Sequence, residues 1–112
     1  MQEDRERFAS LGMRRPLVVR ALRRSKIRQK IVEYLFDISP SGSYTSEIAY
    51  HTKTTPTNVI GALRGMGSRY KKDESLLSLD IIEQISSGSN DIKLYRITDF
   101  GKEMVGLLKE KR

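Results

Sequence analysis

Residues 45–66, TSEIAYHTKTTPTNVIGALRGM, predict two short helices joined by a tight turn. Thr45 or Ser46 can cap the first helix, and its first turn then holds Glu47, an acidic residue that the positive end of the helix dipole favours. Ala49 faces inward and is small at the place where a second helix must cross closely. The first helix is therefore expected to pack against the second at short range.

The second helix is predicted to follow a turn at residues 52–54. Thr55 offers a capping hydroxyl, and Pro56 suits the first helical position because its missing N–H costs nothing there. An apolar stripe with helical spacing then runs through Val59, Leu63 and Met66. The opposite stripe holds Thr57, Ile60, Gly61 and Arg64. These features predict a helix over Thr55 to Met66 in a helix-turn-helix, although an ordinary helical hairpin in a small core also fits them.

The segments around this pair distinguish the two interpretations. Ser25 can cap an earlier helix that ends before a loop at residues 40–42, and Thr98 can cap a final one. Between them, isoleucine-rich runs at 81–85 and 92–97 flank turn-forming residues, which predicts a β-hairpin. The apolar stripes of the two flanking helices are Ile27, Ile31, Tyr34, Leu35 and Ile38, and Phe100, Met104, Leu107 and Leu108.

The order helix, short extended Ser43-Tyr44, helix, helix, hairpin, helix resembles the winged helix-turn-helix domain of small prokaryotic transcription regulators. The segment Glu47-Ile48-Ala49 matches the family's Glu-Leu-Ala, and Pro56 to Leu63 matches its recognition helix. The segment Tyr95 to Gly101, YRITDFG, is similar to the family's Tyr-Arg-Leu-Thr-x-x-Gly at the return from the wing. The insert after the recognition helix, with Arg69-Tyr70 and Ser75-Leu76, is similar to that of an archaeal group of these proteins.

This resemblance implies an α+β, mainly helical fold with a three-helix core, a two-stranded β wing and a C-terminal helix. It covers residues 25–112, which we expect to be the winged helix-turn-helix domain. Residues 1–24 are predicted to be a basic helical extension, in which Pro16 opens a short helix that packs Leu17, Val18, Ala21 and Leu22 against the domain or a second subunit.

Length and composition favour a small cytoplasmic protein without catalytic machinery. A chain of 112 residues without cysteine has one core, no disulfide framework and no thiolate metal site. No apolar run is long enough to cross a membrane or to act as a signal segment. The single histidine, His51, is expected on an exposed helix face rather than beside a nucleophile. We expect no enzyme activity, no metal or other cofactor and no small-molecule ligand.

Positive charge is concentrated near the amino terminus. The net charge is +7, and no acidic residue lies between Glu6 and Glu33, an interval that contains nine arginines and lysines. Such a cluster attracts phosphates and makes binding depend steeply on salt. Arg24, Lys26 and Arg28 are therefore predicted to contact the DNA backbone. The alternatives are a solvated helix surface or a surface that meets an acidic partner protein.

The recognition helix supplies the candidates for base readout. Asn58 can pair with adenine and Arg64 with guanine, while Thr57 and Ile60 can contact thymine methyl groups. Gly61 is predicted to allow close approach to the phosphate backbone, whereas Gly65 is left open between that role and helix packing. The full predicted DNA-binding set is Thr55, Thr57, Asn58, Ile60, Gly61, Arg64, Arg69, Lys71, Lys72, Arg24, Lys26, Arg28, Ser46, His51, Lys53 and Lys93.

Three features depart from the family pattern. Lys53 occupies a turn position that often carries glycine, at a cost of about 1 kcal/mol if the backbone there is left-handed. The wing tip at 88–91 lacks an arginine for the minor groove, so that Lys93 and Arg96 are expected to touch phosphate at most. The insert at 67–74 carries Arg69, Lys71 and Lys72, which we interpret as a phosphate clamp.

Together these features predict a sequence-specific regulator of transcription that binds double-stranded DNA. Reading half-sites one helical turn apart requires two copies, so we expect a homodimer through the terminal helices. The last helix could serve that contact or close the monomer core. The alternatives are a winged-helix module that binds protein or RNA, or a non-specific architectural DNA-binding protein.

Overall fold

A computed structural model describes residues 15–66, 74–86 and 93–110 of the chain. Residues 15–24 are helical and are called α1. The other helices are α2 (Lys26–Ile38), α3 (Thr45–Thr52), α4 (Pro56–Arg64) and α5 (Asp99–Glu110). The strands are β1 (Ser43–Tyr44), β2 (Ile82–Ser86) and β3 (Lys93–Ile97). The predicted α+β winged helix-turn-helix is confirmed.

Capping residues fix most of the predicted helix starts. The Ser25 hydroxyl accepts a hydrogen bond from the Arg28 N–H at 3.2 Å, and the Thr98 hydroxyl accepts one from the Gly101 N–H at 2.9 Å. Helix α3 differs from the prediction, because its cap is Tyr44 rather than Thr45 or Ser46. The reason is that Glu47 reaches back to accept the Tyr44 N–H at 3.0 Å, which places the boundary one residue earlier.

Helix α4 is shorter than predicted because Gly65 ends it. Gly65 adopts φ 89° and ψ 146°, and its N–H donates to the Gly61 carbonyl at 2.8 Å. A positive φ favours glycine, so that Gly65 serves as a helix stop. Met66 consequently lies outside α4 and is 43% exposed, whereas Val59 and Leu63 are fully buried.

The sheet has three antiparallel strands in the order β1-β3-β2 rather than the two of the predicted wing. Strand β3 is central: Tyr95 lies opposite Ser43 on one side and Gln84 on the other. The two predicted wing strands are confirmed to within one residue at their ends. The short β1 closes one edge of the hairpin and leads directly into α3, which joins the wing to the helical core.

One hydrophobic core unites the helices and the sheet. Its largest fully buried side chains include Ile31, Leu35, Ile48, Leu63, Leu76, Ile81, Ile82 and Met104. From α1, Val18, Ala21 and Leu22 join the same core as predicted, but Leu17 is 42% exposed. Leu17 points outward because the helical period places Val18 and Leu22, four residues apart, on the inner face. The predicted domain boundary after residue 24 stays a prediction.

The segment that follows the insert is bonded to the end of α4. The Leu76 N–H donates to the Ala62 carbonyl and the Leu77 N–H to the Leu63 carbonyl, each at 3.0 Å. These bonds satisfy two carbonyls at the C-terminus of α4 that the helix itself leaves unpaired. Leu76 and Leu77, which precede β2, are thus held against the end of α4.

Candidate nucleic-acid interface

The turn between α3 and α4 holds the two helices in a fixed relation. Lys53 adopts φ 57° and ψ 46°, which is the left-handed conformation. The Thr54 N–H donates to the Ala49 carbonyl at 3.0 Å, and the Thr52 hydroxyl donates to the Ile48 carbonyl at 2.6 Å. The position that often carries glycine therefore keeps its left-handed backbone with lysine, whose side chain is exposed.

The start of α4 is ordered by side-chain hydrogen bonds. The Thr55 hydroxyl accepts from the Asn58 N–H at 3.1 Å, which confirms the predicted cap, and Pro56 occupies the first turn. The Asn58 side-chain amide donates to the Thr54 hydroxyl, also at 3.1 Å. Asn58 is half-buried, whereas Thr57 is exposed and Ile60 is 39% exposed. Thr57 and Ile60 thus form the accessible part of the face predicted to read bases.

Gly61 does not lie on that face. It is buried together with its neighbours Ala62 and Leu63, so that it cannot approach a phosphate backbone as predicted. The physical reason is that α2 and α3 pack against α4, and small residues such as Gly61 and Ala62 allow close packing. The predicted outer stripe is therefore narrower than its helical spacing indicates.

Arg64 is held by the wing. Its guanidinium donates to the Tyr95 hydroxyl at 3.0 Å and to the side-chain carbonyl of Gln84. In this conformation Arg64 is directed toward the sheet, and its predicted contact with guanine stays a prediction. The C-terminal end of α4 lies beside the hairpin, so that the long side chain of Arg64 reaches Gln84 of β2 and Tyr95 of β3.

The arginines at the corner between α1 and α2 differ in what surrounds them. Arg28 is only 4% exposed; its guanidinium donates to the Ala21 carbonyl at 3.4 Å and lies 3.7 Å from Glu74. The predicted DNA contact by Arg28 is contradicted by this burial. Arg24 is exposed but lies 3.1 Å from Glu74, whereas Lys26 is exposed. Glu74 therefore offsets one positive charge of this corner, which it shares between Arg24 and Arg28.

The remaining described candidates lie on the surface of α3 and the wing. Ser46, His51 and Lys93 are exposed, as a contact with phosphate requires. The His51 ring stacks on Tyr34 of α2, with 4.7 Å between ring centroids and 17° between planes. On the wing, Arg96 pairs with Glu83 across the two strands, which leaves Lys93 as the more available cation. Arg69, Lys71 and Lys72 lie outside the described residues.

Neither a metal cluster nor a candidate membrane span is found among the described residues. No group of three or more His, Cys, Asp or Glu side chains there is placed to hold a metal ion. No helix in the described ranges is both long and apolar enough to span a lipid bilayer.

Comparison with known proteins places the chain in a family. The profile of the EarA-like family matches residues 18–108. The chain belongs to the EarA-like family. An uncharacterized protein of Methanocaldococcus jannaschii is 40% identical over 101 residues, which cover 90% of this chain and 89% of the relative. The archaeal type that the sequence predicts agrees with this relative and stays a prediction.

The fold has a counterpart among solved structures. The crystal structure of MepR, a transcription regulator of the Staphylococcus aureus multidrug efflux pump MepA, is similar with a TM-score of 0.63. The match covers 98% of this chain and 75% of MepR, at 16% sequence identity. At that identity the likeness shows the winged-helix fold of this EarA-like protein and nothing further.

Sequence reasoning missed one surface feature of this EarA-like protein. Tyr50, on α3, is 80% exposed and lies edge-on to the His51 ring, with 5.2 Å between centroids. Together with Tyr34 these rings form an aromatic cluster beside the turn. The spacing of Tyr50 and His51 in sequence does not reveal it, because the stacking partner Tyr34 comes from a different helix.

Proposed function

We propose that this protein is a sequence-specific regulator of transcription that binds double-stranded DNA, with α4 in the major groove. The observation that carries the proposal is the exposed face of α4, on which Thr57 and Ile60 are accessible beside a fixed left-handed turn at Lys53. A helix presented in this way can place a methyl group and a hydroxyl against base edges. The likeness to MepR in fold adds support.

Contacts to the phosphate backbone would come from residues around α4. Ser46 and His51 on α3, together with Lys53 and Lys93, are exposed and carry groups that suit phosphate oxygens. Lys26 on α2 is the remaining exposed candidate from the corner between α1 and α2. Direct readout by α4 is then modest, since Arg64 is bound to the wing and Asn58 is half-buried.

The test is a selection of bound fragments from random duplex DNA, followed by affinity measurements over a salt series. We expect an enriched motif and a linear fall of log affinity with log salt. Absence of binding at low salt would rule out the DNA function and favour a protein-binding or RNA-binding module. Equal affinity for unrelated duplexes would indicate an architectural role instead.

A matched pair of variants tests the role of α4. Ile60→Ala removes an apolar side chain that is 39% exposed on α4, whereas Leu17→Ala removes one that is 42% exposed on α1. We expect Ile60→Ala to weaken binding to the selected site by about tenfold, the size of one base contact, and Leu17→Ala to leave it unchanged. Equal affinities for the two variants would contradict the placement of α4 in the groove.

Two further parts of the proposal rest on the sequence. Arg69, Lys71 and Lys72 are proposed to clamp phosphate, and replacing all three by alanine is expected to lower affinity and reduce the salt slope by about three contacts. A homodimer is proposed because two half-sites need two copies. Sedimentation equilibrium tests it, and a monomer at the concentrations that bind DNA would contradict it.

A further inference from the structure

A groove of about 800 Å³ runs between α1 and α5. Its apolar lining comes from Val19 on α1 and from Met104, Leu107 and Leu108 on α5. Met104 is buried, whereas the other three are half-buried and accessible from the groove. The floor of the groove is therefore an apolar strip shared by two helices.

The sides of this groove are cationic. Among the described lining residues are Arg15, Arg20, Arg23 and Arg24, and none is acidic. Arg15 lies 4.0 Å from Glu103 and Arg24 lies 3.1 Å from Glu74, so that both are partly neutralised. Within the described parts of the chain, Arg20 and Arg23 form no ion pair, and both are exposed. Two uncompensated guanidinium groups thus stand beside an apolar strip.

A second cavity of about 260 Å³ adjoins the groove and shares Arg23 and Leu108 with it. Val32 and Val105 continue the apolar lining there, Lys109 adds a cation, and Glu33 adds an exposed carboxylate on α2. The combined concavity passes from the start of α1 to the face of α2. An elongated surface of this kind suits a helix better than a compact ligand.

We propose that this groove docks an amphipathic acidic helix of a partner protein. Apolar side chains spaced at three and four residues would lie against Val19, Leu107 and Leu108, and flanking carboxylates would pair with Arg20 and Arg23. Arginine suits this role because its planar guanidinium binds a carboxylate through two parallel hydrogen bonds and is weakly hydrated. Charge complementarity thus selects the partner, while the apolar strip supplies buried area.

The same charges disfavour a second copy of this chain and a DNA duplex as occupants of the groove. A two-fold contact between copies of this chain brings the same cationic patch to both sides of the interface, so that the arginines of the two copies would lie near one another. Like charges opposed in this way cost free energy. A DNA backbone would satisfy the arginines but would leave the apolar strip in contact with phosphate and water. An acidic amphipathic helix satisfies both parts of the surface.

The test is a display library of helical peptides, about 16 residues long, selected for binding to the full-length protein. We expect enriched peptides to combine apolar residues at helical spacing with flanking aspartate or glutamate. Their affinity, measured by fluorescence anisotropy, is expected to fall about tenfold in the double variant Arg20→Glu with Arg23→Glu, as two ion pairs predict. The milder Arg20→Gln with Arg23→Gln variant should give a smaller loss in the same direction.

The matched control reverses two charges outside the groove. Lys26 and Lys30 are exposed on α2 and line neither cavity. Replacing both by glutamate changes the net charge by the same amount, and we expect it to lower peptide affinity far less than the groove variant does. Thermal unfolding of all variants confirms that each is folded.

Five outcomes would overturn the proposal. A selection without enrichment above background, or enriched peptides without acidic residues, would show that the groove does not recognise this chemistry. Equal losses of peptide affinity in the groove and control variants would show that the effect comes from net charge alone. A homodimer that Leu107→Ser or the groove variant dissociates would place a second copy there. A DNA salt slope that falls further in the groove variant than in the control variant would place DNA there.

Discussion

The guanidinium of Arg64, in the last turn of α4, donates a hydrogen bond to the hydroxyl of Tyr95 in β3 at 3.0 Å. Tyr95 is 2% exposed and lies opposite Gln84, which accepts a second bond from the same arginine. The helix proposed to read DNA is thereby bonded to the wing across 31 residues of sequence. The orientation of α4 relative to the sheet depends on this contact as well as on the core.

The first prediction concerns this link. Arg64→Ala and Tyr95→Phe should each lower the free energy of unfolding, and a double-mutant cycle should give a coupling energy of about 1 kcal/mol, as for a charged hydrogen bond that is partly exposed. Urea denaturation measures all four proteins. Tyr44→Phe is the control, since Tyr44 is 40% exposed, and we expect a change within about 0.5 kcal/mol. Strict additivity would contradict the coupling.

The second prediction concerns two glycines of α5. A Cβ at Gly101 would overlap the Ile81 carbonyl and lie 2.7 Å from Cγ1 of Ile97, whereas a Cβ at Gly106 would meet nothing within 4 Å. Gly101→Ala should therefore destabilise the protein by about 1–3 kcal/mol through overpacking. Gly106→Ala should stabilise it by about 0.5–1 kcal/mol, because alanine favours a helix interior. Differential scanning calorimetry would show opposite shifts in Tm; equal shifts would be inconsistent with the packing.

The third prediction separates stability from binding at the start of α4. Thr55→Ala removes the cap that accepts the Asn58 N–H, and should cost about 1 kcal/mol of stability. Thr57→Ala changes an exposed side chain and should leave stability within about 0.5 kcal/mol, yet weaken binding to the selected DNA. Stability is measured in urea and affinity by anisotropy. A Thr57 variant that binds as wild type would remove this residue from the interface.

The fourth prediction uses the left-handed backbone at Lys53. Lys53→Gly should raise stability by about 0.5–1 kcal/mol, because glycine adopts φ 57° without the steric cost that lysine has. If Lys53 also contacts phosphate, the same variant should weaken DNA binding and reduce the salt slope by about one contact. Lys53→Val serves as the control, since a β-branched residue in this conformation should destabilise the protein. A glycine variant less stable than wild type would contradict the strain.

The fifth prediction compares two basic residues of α2. Arg28 is 4% exposed beside Glu74, and Arg28→Ala should cost about 2–3 kcal/mol, since it removes a buried charge from its partners. Lys26→Ala should leave stability within about 0.5 kcal/mol while lowering the salt dependence of DNA binding. The two residues are both basic and lie two positions apart, but Arg28 is buried and Lys26 is exposed. Similar stabilities for both variants would argue against the buried position of Arg28.

Much of the fold follows from short-range patterns in the sequence. The caps at Ser25, Thr55 and Thr98 and the proline at position 56 specify helix starts within the chain segment that contains them. The isoleucine-rich runs on either side of turn-forming residues likewise predict both wing strands. These features are local, since each depends on residues within a few positions of one another. The boundaries that failed, at Tyr44 and Gly65, depend on single hydrogen bonds or dihedral angles that periodicity does not encode.

The candidate site was less predictable, because the burial and the hydrogen bonds of a side chain depend on residues that are distant in sequence. Helical spacing places Gly61 and Arg64 outward, but packing buries Gly61 and the wing binds Arg64. Arg28 belongs to a run of basic residues, and nothing in that run indicates that Glu74 lies beside Arg28. The two residues are 46 positions apart, at 28 and 74. Only the tertiary structure brings these residues together.

The stretch at residues 45–66 determines by itself that two helices meet at a tight turn, since its caps, its proline and its small residues act locally. The tertiary structure decides which of its side chains remain available for a partner. Thr57 and Ile60 stay accessible because no element in the described part of the chain covers them, whereas Gly61 lies in the core and Arg64 is bonded to Tyr95. Availability is a property of the whole fold, because it depends on what the remainder of the chain packs against that helix.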